Sequence, residues 1–409
     1  MISSNKNAPP AEHNEKLWNP AYILMLVLGL FTSAASQMVT PNLPEYIIDM
    51  GASLTLSSTI TSLMSLVAMV LRPVSGAAND ILSRKNLMLF STGLTAACLV
   101  GYSIAPTLPI IVAIRILHGV AFSVQGVSNM AFATSFIPKS RLGEGLGYLA
   151  LSNMISQMLG PSIGIFLSDT LGTQYMFWAA AIITLCSMFI VLRVPYKYEK
   201  SEISGKARLK QIKLSNLIAK ELLFYAFLIG MFSCGNALVS TFLKLMAGER
   251  GVANIGLYFT VNSLFMVFVR PMAGKLTDRK GLAFILIPAY IIEAIAMAFI
   301  GAAGTIWLFL LAAACRAIGQ GSGAPAIQAS SIKKIGIERS GVAISTCYIG
   351  QDLMHVLGPI IGAAVVERTS YSTLFYGYAV VVLLVDLSYI LYRKLGFEKE
   401  PAAETAEAE

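Results

Sequence analysis

Two pairs of ionisable residues stand three positions apart within stretches of sequence that are otherwise apolar. Asp352 and His355 form one pair, and Arg115 and His118 form the other. Residues three apart lie on the same face of a helix, and a histidine titrates close to neutral pH. Asp352, His355 and His118 are therefore candidates for taking up and releasing a proton. For Asp352 and His355, a hydrogen-bonded packing pair is the alternative.

These residues predict neither a metal site nor an enzyme. Two ligands on one helix are too few for a metal ion, and the five cysteines form no CxxC pair. The sequence contains neither HExxH nor the phosphate-binding GxxxxGK[ST]. We therefore expect no cofactor, no catalytic residue and no use of ATP.

The chain that must position these residues is far more apolar than a soluble protein. Of its 409 residues, 56% are hydrophobic and 13% are charged, against roughly 25% charged in soluble domains. A helix needs about 20 apolar residues to cross a bilayer. The charge-free runs therefore predict an all-α polytopic membrane protein with twelve spans. Their predicted limits are 21–45, 54–78, 86–104, 108–134, 142–168, 173–193, 220–246, 253–275, 282–303, 305–328, 340–366 and 371–394.

The basic residues are concentrated on one side of the predicted membrane. Twenty-five of the 30 lie on the side of the N-terminus, whereas Lys244, Arg250 and Arg368 lie on the other side and Arg115 and Arg316 lie inside spans. This bias predicts that both termini are cytoplasmic. It also accounts for the net charge of +8 without a nucleic acid partner.

An internal repeat divides the chain into two halves. Arg72-Pro73-Val74-Ser75-Gly76 and Asp80 recur 198 residues later as Arg270-Pro271-Met272-Ala273-Gly274 and Asp278, and Leu159–Gly164 recurs at the same offset as Leu357–Gly362. Arg115 recurs as Arg316. Six spans per half predict two parallel repeats about an axis along the membrane normal. The predicted organisation is a cytoplasmic segment (1–20), a six-helix bundle (21–193), a basic linker (194–219), a second bundle (220–394) and an acidic disordered tail (395–409).

Several runs carry motifs of one known family. Gly76 to Lys85 is similar to G-x-L-x-D-x-x-G-R-[KR], with Ala78 and Ser83 as departures, and Gly274 to Gly281 repeats it. Arg115-Ile-Leu-His118-Gly119 is similar to R-x-x-[QH]-G. The run of Gly147, Ser156, Gly160-Pro161 and Gly164 is similar to G-x8-G-x3-G-P-x2-G-G, from which Ser156 and Ile165 depart. The chain thus resembles the major facilitator superfamily, and within it the drug:proton antiporter-like branch.

The resemblance implies two pseudo-twofold related bundles around a central cavity. It implies a secondary active transporter that moves a small organic molecule by alternating access, with proton-coupled efflux as the expected activity. Proton-coupled uptake of a polar metabolite or sugar is the alternative, and a transporter-fold sensor is a further one. The expected partners are the substrate, protons and membrane lipid, and the expected location is the bacterial inner membrane, as a monomer.

Three groups of site residues follow from the motifs and from the resemblance. The substrate-cavity candidates are Gln37, Arg115, Asn236, Tyr258, Asn262, Arg316 and Gln320. The gating candidates are Arg72, Gly76, Asp80, Arg84, Lys85, Arg270, Gly274 and Asp278. Proline removes a helix hydrogen bond and glycine permits close approach, so Gly160, Pro161, Gly358 and Pro359 are helix-bend candidates, with small-residue packing as the alternative. Arg115 and Arg316 either bind substrate or tether helices, and Glu293 and Asp386 are expected to be packing charges.

Overall fold

The computed structural model describes residues 17–138, 141–196, 218–336 and 339–396. Span 1 consists of two helices, Pro20–Val39 and Leu43–Asp49. Spans 2 to 6 are Leu54–Ile81, Arg84–Ile104, Leu108–Thr134, Leu142–Leu171 and Thr173–Arg193. Span 7 is Leu223–Glu249, preceded by a 3₁₀ turn at Lys220–Leu222, and spans 8 to 12 are Gly256–Lys280, Leu282–Ala302, Ile306–Ile335, Ser340–Arg368 and Tyr371–Lys394. Residues 1–16, most of the predicted linker and residues 397–409 of the predicted tail lie outside these ranges.

The twelve predicted spans and the all-α fold are confirmed, with one correction in span 1. The predicted helix 21–45 is interrupted after Val39, and a second short helix begins at Leu43. Pro41 and Pro44 account for the break, because a proline lacks the amide hydrogen that would continue the helix. Spans 2, 5 and 10 also extend beyond their predicted ends, to Ile81, Leu171 and Ile335.

Short polar residues and glycines mark the helix ends. The side chains of Asn19, Ser53 and Ser370 accept a hydrogen bond from a backbone amide in the first turn of spans 1, 2 and 12, which satisfies an amide left unpaired at a helix start. Gly281, with φ 81°, separates spans 8 and 9. Its left-handed backbone allows the short connection there.

Ten of the helical spans in the described ranges are long and apolar enough to cross a membrane. The two that fall short are spans 5 and 8. These two helices pack against each other between the bundles, so part of their surface faces protein instead of lipid and carries polar groups such as Ser162 and Thr260.

Packing follows the repeat. In the first half, spans 2 and 4, 1 and 5, and 3 and 6 are neighbours, and in the second half spans 8 and 10, 7 and 11, and 9 and 12 are the equivalent neighbours. The halves meet where span 2 contacts span 11 and span 5 contacts span 8. These two interfaces are related by the 198-residue repeat.

The connections lie at two ends of the molecule, the linker end and the distal end. The linker end holds the start of span 1, the end of span 6 and the start of span 7, and also the connections between spans 2 and 3, 4 and 5, 8 and 9, and 10 and 11. The distal end holds the remaining connections. Contacts such as Thr55 at the start of span 2 with Glu367 at the end of span 11 confirm this grouping.

Candidate functional site

A cavity of about 530 Å³ lies between the two halves. Spans 1, 2, 4 and 5 form its first-bundle wall, and spans 7 and 11 form its second-bundle wall. Its lining residues are Thr32, Ser33, Ser36, Gln37, Thr40, Thr61, Ser62, Met64, Ser65, Arg72, Arg115, Phe122, Gln125, Gly126, Asn129, Asn153, Gln157, Ser233, Asn236, Ser240, Thr241, Gln351, Asp352, His355 and Pro359.

Neutral polar side chains dominate this lining. Seventeen of the twenty-five residues are Ser, Thr, Asn or Gln, and four are Arg72, Arg115, Asp352 and His355. On span 1 the lining positions recur every three to four residues from Thr32 to Thr40, the spacing of one helix face. The cavity therefore offers hydrogen-bonding groups along most of its wall.

An ion pair at the cavity wall joins the two halves. Arg72 Nη2 on span 2 donates to Asp352 Oδ1 on span 11 at 3.1 Å. Arg72 also stacks over the Tyr348 ring, one turn from Asp352, at 5.5 Å from the ring centroid. The carboxylate faces both the cavity and a cation of the other half, so a change in its charge acts on the interface and on the site together.

A second polar cluster closes the distal end, around Lys244 at the end of span 7. Its Nζ lies 2.7 Å from Glu45 Oε2 and 3.0 Å from Asp169 Oδ1. It also donates to Asn42 Oδ1 at 2.7 Å and to Ser168 Oγ at 3.2 Å. All four oxygens belong to the first half, so one buried lysine of the second half is held by spans 1 and 5. We call this group the distal clamp.

Two further contacts join the halves at the distal end. Glu367 on span 11 accepts from the amide and the hydroxyl of Thr55 at 2.8 and 2.7 Å. Ser162 on span 5 donates to the Gly256 carbonyl at 2.7 Å and lies 2.7 Å from the Thr260 hydroxyl. Although Gly160–Gly164 fits the pattern G-x-S-x-G of hydrolases, it lies within a helix here and its serine belongs to this interface.

Comparison with known proteins identifies the chain. The family model described as Major Facilitator Superfamily matches residues 25–252 and 225–409. The chain belongs to the major facilitator superfamily. It is a multi-pass membrane protein and a secondary transporter.

Two relatives of this transporter carry the name Multidrug resistance protein MdtG. The protein of Enterobacter lignolyticus (strain SCF1) is 27% identical over 378 residues, which are 87% of this chain and 88% of the relative. That of Klebsiella pneumoniae (strain 342) is 27% identical over 402 residues, 93% and 94% of the two chains. Among solved structures, the nucleoside transporter NupG superimposes with a TM-score of 0.77 at 11% identity, over 91% of this chain and 99% of that one. This likeness shows the fold.

The transporter's arginine and histidine on span 4 lie in different surroundings. Arg115 Nε and Nη2 donate to the Thr61 carbonyl of span 2 at 3.1 and 2.8 Å, so this guanidinium tethers two helices beside the cavity. His118 is buried against span 3, where its Nδ1 lies 3.2 Å from the Tyr102 hydroxyl. His118 is thus a proton-transfer candidate that does not line the cavity, whereas Asp352 and His355 do.

The second-half cavity candidates divide in the same way. Asn236 lines the cavity, but Tyr258, Asn262, Arg316 and Gln320 do not. Asn262 Nδ2 donates to the Ala313 carbonyl of span 10 at 3.0 Å. In this conformation spans 8 and 10 turn these side chains into the second bundle. Gln37 on span 1 lines the cavity.

A buried ion pair occupies the centre of the second bundle. Arg316 Nε lies 3.4 Å from Glu293 Oε1, and both side chains are almost fully buried. Arg316 Nη2 reaches Asn236 at 3.2 Å, which connects the pair to the cavity wall. A Cβ atom on Gly235 or on Gly319 would lie 3.0 Å from a Glu293 carboxylate oxygen, so these two glycines make room for the acid.

The gating candidates mostly bond within their own half. Arg84 donates to the Ala131 carbonyl at 2.7 Å, and Lys85 to the Val194 carbonyl at 2.8 Å. Asp278 pairs with Lys333 at 2.7 Å. Gly76 and Gly274 have open space around them. Arg72 alone among these described side chains bonds across the bundle interface, and the Asp80 side chain lies outside the described part.

The helix-bend candidates lie inside unbroken helices. Pro161 and Pro359 are interior to spans 5 and 11. A Cβ on Gly160 would lie 2.6 Å from the Gln37 Cβ of span 1, and one on Gly358 would lie 2.9 Å from the Cys234 sulfur of span 7. Both glycines therefore allow close helix packing, and bending during transport stays a prediction.

Sequence reasoning missed the distal clamp and most of the hydroxyl-rich lining. Lys244 carried a usable signal, because it is a lone cation at the end of a charge-free run of 22 residues. The polar residues of span 1, with their helical spacing, were a second signal. The residue pairs that join the two halves, such as Lys244 with Glu45, have no signature in the local sequence.

Proposed function

We propose that this transporter exports a small organic molecule in exchange for protons, and that Asp352 carries the proton. The pairing of Asp352 with Arg72 across the bundle interface is the observation that supports this most. The relatives' name, Multidrug resistance protein, supports export. The bias of basic residues supports a linker end that faces the cytoplasm.

Charge at Asp352 governs the contact between spans 2 and 11. When Asp352 is ionised, it holds Arg72, and the two halves are joined at the cavity wall. When it takes a proton, Arg72 loses its partner and the interface loses a charge-assisted hydrogen bond, which is about twice as strong as a neutral one. The proton thereby biases a rigid-body movement of one half against the other.

Alternating access needs the two ends to open in turn. The distal clamp and the Thr55–Glu367 contact hold the distal end closed, so the described state loads substrate from the linker end. The reverse state must break these contacts. Two forms of the transporter reorient in this cycle: the substrate-bound form with Asp352 ionised, and the substrate-free form with Asp352 protonated. Because each form carries only one of the two solutes, substrate and proton move in opposite directions. His355 lines the same wall one turn away and is the second candidate for the proton.

The test measures proton movement that depends on substrate. Everted membrane vesicles acidified by respiration are loaded with acridine orange, and candidate compounds are added while fluorescence recovery is followed. We expect recovery with the unaltered protein and none with Asp352→Asn, whereas Asp352→Asn retains exchange of labelled compound between the two sides. Asp386→Asn is the matched control, since this acid is buried on span 12 away from the cavity. Full gradient-driven flux in Asp352→Asn would contradict the proposal.

Proton-coupled uptake is the second candidate, and the polar lining favours it because polar metabolites are common uptake substrates. In right-side-out vesicles, uptake predicts accumulation of the compound when the outside is made acidic. Export predicts its depletion under the same gradient.

A further inference from the structure

The central cavity differs in composition from a site for lipophilic drugs. Drug-sized ligands bind in pockets lined predominantly by apolar and aromatic side chains. Here the lining contains seventeen neutral polar residues, and its large apolar side chains are those of Phe122 and Met64. A lipophilic solute would cover those hydroxyl and amide groups without replacing their hydrogen bonds, which is unfavourable.

Several lining residues carry a polar atom that has no hydrogen-bond partner. Thr61 Oγ1, Ser62 Oγ, Gln125 Nε2 and Asn129 Oδ1 are buried and have no hydrogen-bond partner among the described residues. They include an amide donor, an amide acceptor and two hydroxyls that do both. A buried polar atom is normally paired, and the residues that carry these four atoms all line the cavity, so we infer a bound solute as the partner that they gain when their side chains rotate.

The unpartnered atoms lie at two levels of the cavity. Thr61 and Ser62 are at the level of Arg115, which bonds to the Thr61 carbonyl. Gln125 is ten residues further along span 4, about 15 Å nearer the linker end at 1.5 Å per residue. At that level Gly29 of span 1 leaves room for Asn129, whose Nδ2 would lie 3.3 Å from a Cβ there.

The charges of the lining disfavour a cation. Asp352 is the single carboxylate among the lining residues, and Arg72 already pairs with it. Arg115 adds a second guanidinium whose position is set by the Thr61 carbonyl. The fixed charges therefore sum to a positive value while Asp352 is ionised and to a larger one when it is protonated.

We propose that the cavity binds a small polar solute that carries several hydroxyl or amide groups and is uncharged or anionic, and that it excludes lipophilic cations. The inference rests on the proposed transport function for the role of the cavity, and it names the chemical class of the substrate. Gln125 and Asn129 are the specificity residues, because both line the cavity from span 4 and each carries an amide atom without a partner among the described residues.

Binding to the purified protein in detergent tests the substrate class without any proton gradient. The probes are neutral hydroxylated solutes (hexoses and nucleosides), hydroxylated monoanions (aldonates) and the lipophilic cation tetraphenylphosphonium. Thermal stability at rising probe concentration gives the Kd. We expect saturable stabilisation by at least one polar probe and none by tetraphenylphosphonium.

Variants locate the binding. Gln125→Leu and Asn129→Leu each remove hydrogen-bonding groups at similar volume, and each should weaken binding of the polar probe about tenfold. Gln174→Leu, an exposed position at the start of span 6, is the matched control and should bind as the unaltered protein does. Binding that Gln125→Leu and Asn129→Leu leave unchanged would overturn the assignment of the specificity residues.

Two outcomes would overturn the substrate class. One is saturable tetraphenylphosphonium binding that Arg72→Met or Asn129→Leu alters, and the other is a polar panel in which no member stabilises the protein at millimolar concentration. Either outcome leaves the proton-coupling test intact, since fluorescence recovery in vesicles with a lipophilic compound would still support transport. Conversely, polar binding without proton movement would contradict the proposed coupling alone.

Discussion

Arg72 and Asp352 form an ion pair across the two halves, and the repeat-related position has none of this chemistry. The 198-residue offset relates Arg72 to Arg270 and Asp352 to Met154. Met154 packs in an apolar cluster with Met266 and Ala317, and Arg270 Nη2 lies 3.8 Å from the Met266 sulfur. At this position one of the two equivalent interfaces carries an ion pair and the other an apolar contact. The proposed protonation of Asp352 would therefore act on one side of the pseudo-twofold axis.

Exchanging the charges of Arg72 and Asp352 should show whether substrate exchange depends on an opposite-charge pair at this position. Arg72→Asp places two acids together and Asp352→Arg places two guanidinium groups together, so each single variant should lose at least tenfold in substrate exchange, because like charges repel across the interface. The double variant restores an opposite pair and should recover most of the exchange.

Exchange of labelled substrate in proteoliposomes, without a gradient, is the measurement. Arg270→Asp is the comparison, because the equivalent position is apolar. Adding Met154→Arg to it should restore less exchange than Asp352→Arg restores to Arg72→Asp. A double Arg72→Asp, Asp352→Arg variant as inactive as its parents would show that the contact is incidental to exchange.

The distal clamp predicts a shift in access. Lys244→Met removes the cation that holds Glu45 and Asp169, and a hydrogen bond to a charged group contributes about 1.5–3 kcal/mol. The opening of the distal end should then become at least tenfold more populated, because 1.4 kcal/mol corresponds to a factor of ten.

Labelling of a cysteine placed at Ser240 in the cavity, in a background without native cysteines, measures this opening. An impermeant maleimide applied from the distal side should react faster in Lys244→Met. Arg250→Met is the matched control, because Arg250 bonds to Gly301, Ala303 and Ser372 within the second half. Equal labelling rates in the two variants would show that the clamp does not hold the distal end closed.

The sequence alone located the twelve spans well, but it predicted poorly which of their side chains face the cavity. Apolar runs and charge bias located twelve spans, because a bilayer demands about 20 apolar residues per crossing. Of the residues expected at the cavity, Gln37, Arg115 and Asn236 line it, as do the proton-coupling candidates Asp352 and His355. Tyr258 and Arg316 were expected there too, but each helix shows only one face to the cavity, and the rotation of spans 8 and 10 depends on packing with distant helices. The pairing of Arg72 with Asp352, 280 residues apart, likewise depends on how the halves meet.

Close glycine contacts between spans 1 and 5 predict that glycine-to-alanine changes along span 5 differ in their effect on stability. A Cβ on Gly160 would lie 2.8 Å from the Ala34 carbonyl oxygen, and one on Gly164 would lie 2.6 Å from that of Met38. Either change to alanine should cost about 1–3 kcal/mol through overpacking. Gly147→Ala on the same span meets nothing within 4 Å and should be neutral or stabilising, since alanine favours helix more than glycine does by about 1 kcal/mol. Thermal unfolding of the purified variants checks the order, and a Gly147→Ala variant less stable than Gly160→Ala would contradict it.

The buried pair of Glu293 and Arg316 offers a test of whether an intramembrane charge is structural. Arg316→Met leaves a fully buried carboxylate without its cation, and breaking a buried pair in this way costs about 3–5 kcal/mol. Adding Glu293→Gln removes the stranded charge while keeping its shape in the space left by Gly235 and Gly319. The double variant should therefore unfold at a higher temperature than Arg316→Met, close to the unaltered protein.

Transport by the same double variant decides between packing and proton coupling at this pair. If Glu293 and Arg316 stabilise the second bundle, the double variant should keep both substrate exchange and gradient-driven flux. A double variant that regains stability and exchange but loses gradient-driven flux would move the proton site from Asp352 into the second bundle. Its connection to the cavity would then run through Asn236, which accepts from Arg316 at 3.2 Å, and Asn236→Leu should reproduce the loss.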